Sequence, residues 1–120
     1  MTTSNGRCGS GRPRRDEVAV SYSVGVYAEA ARWYRKAGDQ GDAFAQFSLG
    51  LMYGVGDGVP KNYIEAHMWL NLAASRASSK DKKLFTEARD VAAGKMTPKQ
   101  IAEAQRRARE WKPKAGGPMK

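Results

Sequence analysis

Apolar side chains recur at helical spacing in the middle of the chain, between Ala43 and Ala74. From Ala43 to Tyr53 the most regular set is spaced i, i+4, i+7 and i+8, as in a helix with one buried face. Gly50 lies beside this face, and a glycine inside a helix costs about 1 kcal/mol relative to alanine. We therefore predict that a neighbouring helix approaches closely at Gly50. The buried face comprises Ala45, Leu49, Met52 and Tyr53.

The same helix has a second apolar face, formed by Phe44, Phe47 and Leu51 at i, i+3 and i+7. Apolar side chains that stay exposed in such a patch mark interaction sites. These three residues are therefore the candidate partner-binding surface. The alternative is that residues 18–26 or another subunit cover them.

A glycine-rich turn from Gly54 to Pro60 separates this helix from the next one. Glycine permits positive φ and proline cannot continue a helix, so the chain is predicted to reverse direction here. The alternating Gly54, Gly56 and Gly58 are similar to a phosphate loop only in composition. No strand precedes them and no Gly-Lys-Ser/Thr follows, so we expect no nucleotide site.

A second helix is predicted from about Asn62 to Ser75. Met68 and Leu72 widen its apolar arc, so a further element is expected to cover them. The inner face of this helix comprises Tyr63, Ala66, Trp69, Leu70 and Ala73.

This second helix has a counterpart 36 residues earlier in the chain, with five identities in sixteen aligned positions. A period of this length is typical of stacked helix pairs, which are stabilised mainly by contacts between neighbouring units. Arg32 and Lys36 align with Met68 and Leu72, so the earlier helix is predicted to be more polar on that side. The identical residues are Tyr27, Glu29, Ala30, Trp33 and Ala37, which align with Tyr63, Glu65, Ala66, Trp69 and Ala73.

These positions resemble the Sel-one-like repeat (SLR) family, a relative of the tetratricopeptide repeats. The matching pattern is Ala45-Gln46-x-x-Leu49-Gly50-x-x-Tyr53, then Gly56-x-Gly58-Val59-Pro60-x-x-Tyr63-x-x-Ala66, then Trp69 and Ala73. The resemblance covers about residues 27–77, with a half repeat at 27–42 and a full repeat at 43–77. It implies an all-α fold, a short α/α solenoid of antiparallel helix pairs, used as a protein-binding scaffold or adaptor without catalytic chemistry. In tetratricopeptide-type repeats, the side of the first helix that carries Phe44, Phe47 and Leu51 lines the groove that receives a peptide or partner helix.

Two further helices are predicted towards the C-terminus. The first runs from about Lys80 to Ala93, and Gly94 ends it. The second begins with the capping box Thr97-Pro98-Lys99-Gln100. By resemblance to the ends of other SLR proteins, residues 80–112 are expected to form a capping helix pair. The apolar positions are Leu84, Ala88, Val91 and Ala92 in the first helix, and Ile101, Ala104, Gln105, Ala108 and Trp111 in the second.

The two ends of the chain have a different composition. Residues 1–17 are rich in arginine and glycine and are predicted to form a disordered basic tail that contains Cys8, and residues 113–120 a flexible tail. Within residues 18–26 the larger side chains alternate with small ones, which alone indicates a strand. No second strand is predicted to pair with it, and irregular packing against the Trp33 helix is the alternative.

The composition limits the class of protein. One cysteine excludes an intramolecular disulfide framework, and with it the disulfide-stapled, secreted branch of the SLR family. The first residues contain no apolar signal-peptide core, so a cytoplasmic location is expected. No run of about eighteen apolar residues occurs, so no membrane span is expected.

The formal net charge of +9 raises an alternative function. The last twenty residues contribute +4, and the helix from Pro98 to Lys112 has a basic outer face. This face could bind nucleic acid or acidic partners. No aromatic side chains interleave with the charges as single-strand stacking requires, so another protein or peptide is the preferred partner. Self-association is a further option, because so short a solenoid has few stacked units.

Candidate chemistry is sparse. His67 is the only histidine, and no cysteine or second histidine lies near it in sequence, so neither a metal site nor a catalytic triad is supported. Glu29 and Glu65 occupy equivalent repeat positions and are interpreted as helix-surface residues or contacts between helices, in preference to a pair of catalytic carboxylates. Trp33, Trp69 and Trp111 are interpreted as core anchors. We therefore predict no catalytic residue and no cofactor.

Overall fold

The computed structural model describes residues 15–114, and their side chains from residue 25 onward. These residues form five α-helices and no strand, which confirms the all-α fold class. The helices are α1 (Arg15–Asp39), α2 (Ala43–Val55), α3 (Tyr63–Arg76), α4 (Ser79–Ala93) and α5 (Pro98–Glu110). No helix in this part of the chain is long and apolar enough to cross a membrane.

Cap residues at the starts of both helices and a glycine in the turn stabilise the central α2–α3 hairpin. The Asp42 carboxylate accepts a hydrogen bond from the Ala45 amide (3.0 Å), and the Asn62 side chain accepts one from the Glu65 amide (3.1 Å). Such side-chain caps satisfy amides that have no partner within the helix. Gly58 has φ +76°, and a Cβ there would collide with the Tyr27 carbonyl of α1, so glycine is required.

Helix α3 is the centre of the molecule, because α2, α4 and α5 all pack against it. Met68 and Leu72 are buried together with Leu49 and Trp69, and Ala108 and Trp111 of α5 cover this cluster. The predicted covering element is therefore α5. Helix α4 packs on another part of α3, where Phe85 is buried with Ala73 and Ala74. The two C-terminal helices thus cap α3 separately.

Helices α3 and α5 run in the same direction. Glu65 pairs with Arg107, and four residues further along each helix Trp69 meets Trp111 with 6.2 Å between ring centroids. Beyond α5, the Lys114 amide donates to the Asp39 carbonyl (2.7 Å), which ties the end of α5 to the end of α1. Lys114 belongs to the segment predicted to be flexible, and the rest of that segment from residue 115 lies outside the described residues.

Helix α1 is a single helix of 25 residues, so the strand indicated by the alternation within residues 18–26 is not formed. Without a second strand, a helix is the arrangement that satisfies the backbone groups of this segment locally. The helix begins at Arg15, within the predicted disordered tail. The remainder of that tail, including Cys8, lies outside the described residues.

Trp33 is not a core anchor, and this prediction was wrong. Its side chain is 62% exposed, whereas the repeat-equivalent Trp69 is 3% exposed. Trp69 is enclosed by α1, α2 and α5, whereas among the described residues α1 has no such neighbours around Trp33. The position 36 residues before Tyr53 is Glu17, which is part of α1 itself, so the part of the chain that the structure describes contains no separate first helix to cover Trp33.

A candidate partner-binding groove

Two neighbouring helices each expose an apolar stripe. On α2 the exposed residues Phe44, Leu51 and Val55 recur at i, i+7 and i+11, which places them on one side of the helix. On α4 the exposed Leu84 and Val91 are seven residues apart, with the half-buried Ala88 between them. Exposed apolar residues are ordinary when scattered, but two adjacent stripes form a patch.

The stripes border a groove of about 380 Å³ between α2 and α4. Its walls include Leu51 and Val55 from α2, and Ala88 and Val91 from α4. The floor consists of small residues and one buried leucine, namely Gly50, Gly54, Ala66 and Leu70. Gly50 is buried against Leu70, so the α2 backbone lies directly on α3 at the floor of the groove. Lys61 and Lys95 also line the groove, so its polar margin is cationic.

The three residues predicted to bind a partner lie in different surroundings in the structure. Leu51 lines the groove, and Phe44 is exposed at the other end of α2, where it meets Tyr34 edge-on with ring centroids 6.4 Å apart. Phe47 instead packs inside the structure, stacked on Phe85 with ring centroids 4.4 Å apart and an interplanar angle of 17°. Phe47 therefore joins α2 to α4 and does not line the groove.

Sequence reasoning missed the contribution of α4. Leu84, Ala88, Val91 and Ala92 are the apolar positions predicted to share one face of this helix, but Phe85 and Ala92 are buried while Leu84 and Val91 are exposed. The repeat contained a signal for this orientation, because Phe85 lies 36 residues after the buried Leu49.

The residues of the repeat pattern have structural roles. Gln46, a polar residue within an apolar helix, is fully buried, and its Nε2 donates to the Gly38 carbonyl (2.9 Å) at the end of α1. Gly56 ends α2 with φ +81°. Tyr53 and Tyr63 are half-buried on the two sides of the turn that joins α2 to α3. The buried members of the pattern are Ala45, Leu49, Gly50, Ala66, Trp69 and Ala73.

His67 is buried on α3, and its Nδ1 has no hydrogen-bond partner among the described residues. Burial, and then the charge of Arg89, lower the pKa of the imidazole below its ordinary 6.5, while Asp90 acts in the opposite direction. No group of three or more histidine, cysteine or acidic residues that could hold a metal ion occurs in the described part of the chain. The two repeat-equivalent glutamates differ, since Glu29 is exposed while Glu65 accepts hydrogen bonds from Trp69 Nε1 and Arg107 Nη1, both at 3.2 Å.

The basic face of α5 is partly neutralised by neighbouring carboxylates. Arg106 pairs with Glu103 (2.6 Å) and Glu110 (2.8 Å), and Arg107 pairs with Glu103 (2.7 Å) and Glu65 (3.2 Å). Hydrogen bonds from Arg106 and Arg107 lower the pKa of Glu103 below its usual range. Two of the arginines counted toward a polyanion-binding surface are therefore already paired within the molecule.

A 36-residue helical period, an antiparallel α2–α3 pair and further helices packed on α3 define a helical-repeat protein of the α/α solenoid class. A Sel1 repeat model matches residues 23–42 and 43–78. Residues 23–78 are therefore Sel1-like repeats, the repeat of the SLR family. Proteins of this family are generally helical-repeat scaffolds for protein–protein interaction and are generally non-catalytic.

One solved structure supports the same assignment. It is the crystal structure of a protective antigen present in uropathogenic Escherichia coli strains, which displays an SLR fold. The similarity covers 71% of this chain at 36% sequence identity, with a TM-score of 0.63. The chain spans 18% of the length of that protein. A comparison with curated proteins gave no significant match.

Proposed function

We propose that this protein is a non-catalytic adaptor that binds an apolar segment of another protein in the groove between α2 and α4. The observation that carries the proposal is the pair of exposed apolar stripes, on α2 and α4, that border this groove. An apolar groove of this kind receives the apolar face of a helix or an extended segment, and the affinity comes from burying both surfaces.

The groove also indicates the chemistry of its partner. Apart from Tyr63, the uncharged residues that line it are aliphatic or small, so aliphatic side chains of the partner fit it best. Lys61 and Lys95 line the same groove, and charges at the margin of an interface favour a partner of opposite sign. The expected ligand is therefore a short apolar segment that has at least one acidic residue at its end.

The experiment begins with a random peptide library displayed on phage, from which ligands of the purified protein are selected. The dissociation constant of each synthesised ligand is then measured by calorimetry with the wild-type protein and with single variants. We expect Leu51→Asp and Val91→Asp each to weaken binding at least tenfold, because a carboxylate in the groove loses hydration when the ligand binds.

The matched control is Val26→Asp, which introduces the same charge at an exposed valine on α1, outside the groove. This variant should retain the wild-type affinity within about twofold, and unfolding in urea should show that all three variants are folded. Phe47→Asp is unsuitable, because it would disrupt the stacking on Phe85 and so the fold. Selected ligands that bind Leu51→Asp and Val91→Asp as tightly as the wild-type protein would refute the groove proposal.

A further inference from the structure

A second surface, on the outer side of α1, has features that the groove does not explain. It consists of the exposed side chains of Glu29, Arg32, Trp33 and Lys36, and we refer to it as the Trp33 face. The Lys36 Nζ lies 5.3 Å from the centre of the Trp33 ring. These residues line a cleft of about 670 Å³ between α1 and the end of α2. A tryptophan this exposed contributes little to a core, so its large apolar surface is available for a partner.

The repeat contains a second surface equivalent to the Trp33 face, and on α3 this surface is covered by another helix. The repeat aligns the Trp33 face with Glu65, Met68, Trp69 and Leu72 on α3. On α3, helix α5 lies over Trp69. Ala108 and Trp111 of α5 pack on the apolar cluster that contains Trp69, and Arg107 pairs with Glu65. One helix that carries a Glu-x-x-x-Trp pair is thus covered by a second helix, whereas α1 carries the same pair uncovered.

The two surfaces differ in charge. Arg32 and Lys36 stand where α3 has Met68 and Leu72, and neither cation forms an ion pair with the described residues. The neighbouring Arg35 is already engaged, because it donates to the Tyr53 hydroxyl (2.6 Å) and lies over the Trp69 ring. A helix that covers the Trp33 face must therefore present acidic residues to Arg32 and Lys36, where α5 packs Ala108 and Trp111 on the cluster that contains Met68 and Leu72.

We propose that the Trp33 face binds an acidic amphipathic helix of a partner protein, seated on α1 as α5 is seated on α3. Arg32 and Lys36 pair with carboxylates of the bound helix, and Trp33 packs against its apolar seam. Such charges fix the choice and orientation of the partner, while the buried aromatic supplies most of the affinity.

The charges disfavour occupants from this chain itself. Residues 1–14 contain three arginines, no acidic residue and no aromatic or branched aliphatic residue, so they would be repelled by Arg32 and Lys36. A second copy carries a formal net charge of +9, and the apolar stripe of α4 is preceded by Lys80, Lys82 and Lys83. Nucleic acid is less suited than a helix, because two cations and one aromatic ring provide few phosphate contacts.

The test uses a fluorescein-labelled peptide derived from α5, residues 97–112 with Ala104→Glu, Ala108→Glu, Arg106→Glu and Arg109→Glu, so that its acidic residues outnumber its basic ones, and this peptide is titrated with the full-length protein. Fluorescence anisotropy should show saturable binding that Trp33→Ala weakens at least tenfold. The double variant Arg32→Glu/Lys36→Glu should lose this peptide and instead bind a second peptide that carries Ala104→Lys and Ala108→Lys. This exchange of charges identifies the paired groups, and a general loss of stability would not produce it.

The control variant Lys82→Glu/Lys83→Glu changes the net charge equally on α4 and should bind the acidic peptide as the wild-type protein does. Leu51→Asp should also leave this peptide's affinity unchanged, which separates the Trp33 face from the α2–α4 groove. The proposal is overturned if the acidic peptide does not bind, or if it binds Trp33→Ala and Arg32→Glu/Lys36→Glu as it binds the wild-type protein.

Two further results would assign the Trp33 face to another occupant and so overturn the proposal. The first is a dimer in sedimentation equilibrium that Trp33→Ala dissociates, which would identify a second copy. The second is binding of a twenty-nucleotide oligothymidine that the same variant abolishes while the acidic peptide fails to bind.

Discussion

Gly50 lies where α2 passes closest to α3. A Cβ at this position would be 2.7 Å from Leu70 Cγ and 3.2 Å from the Ala66 carbonyl oxygen. Leu70 is buried, so its branch point has little room to move. We expect Gly50→Ala to lower the free energy of unfolding by up to about 2 kcal/mol, because overpacking costs about 1–3 kcal/mol and alanine recovers about 1 kcal/mol of helix propensity.

Gly54 is the control for this prediction, since it is in the same helix and its added Cβ would meet only the Ala66 Cβ, at 3.9 Å. Gly54→Ala should therefore leave stability unchanged or raise it by up to about 1 kcal/mol. Urea unfolding followed by circular dichroism measures both variants. Equal effects of the two substitutions would show that helix propensity, and not close approach to Leu70, determines the glycine at position 50.

His67 should make stability depend on pH in the mildly acidic range. Its pKa is lowered in the folded protein and ordinary, near 6.5, in the unfolded chain. The unfolded chain therefore binds the proton more readily, and the free energy of unfolding falls as the pH drops through 6.5 toward the lower folded pKa. The loss amounts to about 1.4 kcal/mol for each unit by which the pKa is depressed.

The variant His67→Leu removes this titration while keeping an apolar side chain in the buried site. Urea unfolding of both proteins at pH 7.5 and 5.5 should show a smaller loss of stability in the variant, because the remaining titrations are common to both. An identical pH dependence in the two proteins would exclude a depressed pKa at His67.

At the scale of single residues, the sequence predicted what depends on local spacing. Ala45, Leu49 and Met52 are buried as the i, i+4 and i+7 pattern required, and the close approach at Gly50 followed from the cost of a glycine in a helix. The buried Gln46 was not predicted, because its partner is the Gly38 carbonyl of another helix. Exposure of Trp33 was missed for a related reason, since burial depends on neighbours that a local pattern does not contain.

At the scale of helices, two N-termini provide a matched pair. Thr97 begins α5 with a complete capping box, in which its hydroxyl accepts from the Gln100 amide (3.1 Å) and its own amide donates to Gln100 Oε1 (2.9 Å). Ser78 precedes α4 but makes no capping hydrogen bond through its side chain. We expect Thr97→Ala to cost about 1 kcal/mol and Ser78→Ala to cost little, as measured by thermal unfolding. A cost for Ser78→Ala as large as that for Thr97→Ala would contradict the assignment of the cap.

The positions of helices could be predicted from sequence more reliably than their orientations. Periodicity identified α2, α3, α4 and α5, and the glycine and capping signals gave their ends. It did not identify which side of α4 faces α3, because Leu84 and Phe85 are adjacent and either could have been buried. The stacking of Phe85 on Phe47 decides between them, and this contact joins residues 38 positions apart. The same contact removes Phe47 from the candidate groove and adds Leu84 and Val91 to the exposed surface.

At the scale of the whole molecule, α3 holds together a structure whose surfaces are chemically distinct. Because α2, α4 and α5 all pack on α3, the groove between α2 and α4 has rigid walls. The cationic Trp33 face lies on α1, which packs on α2. Two such surfaces on one small scaffold would allow it to hold two partners at once, which is the physical requirement for an adaptor.

The net charge of +9 also overstates the charge that is free to bind a polyanion. Glu103 pairs with both Arg106 and Arg107, so Glu103→Gln should remove one of the two ion pairs that each arginine makes. Glu87→Gln changes the net charge equally, but Glu87 forms no ion pair with the described residues. We expect Glu103→Gln to strengthen binding of labelled oligothymidine several-fold more than Glu87→Gln does.

The salt dependence of this binding identifies the groups responsible. Each additional phosphate contact on a single strand makes the slope of log K against log [NaCl] more negative by about 0.7. The slope should therefore become steeper in Glu103→Gln and change little in Glu87→Gln, when anisotropy is measured between 50 and 200 mM salt, the range over which such binding falls steeply. If the two variants strengthen binding equally and with the same slope, then net charge alone controls polyanion binding, and the carboxylates of α5 do not restrain its arginines.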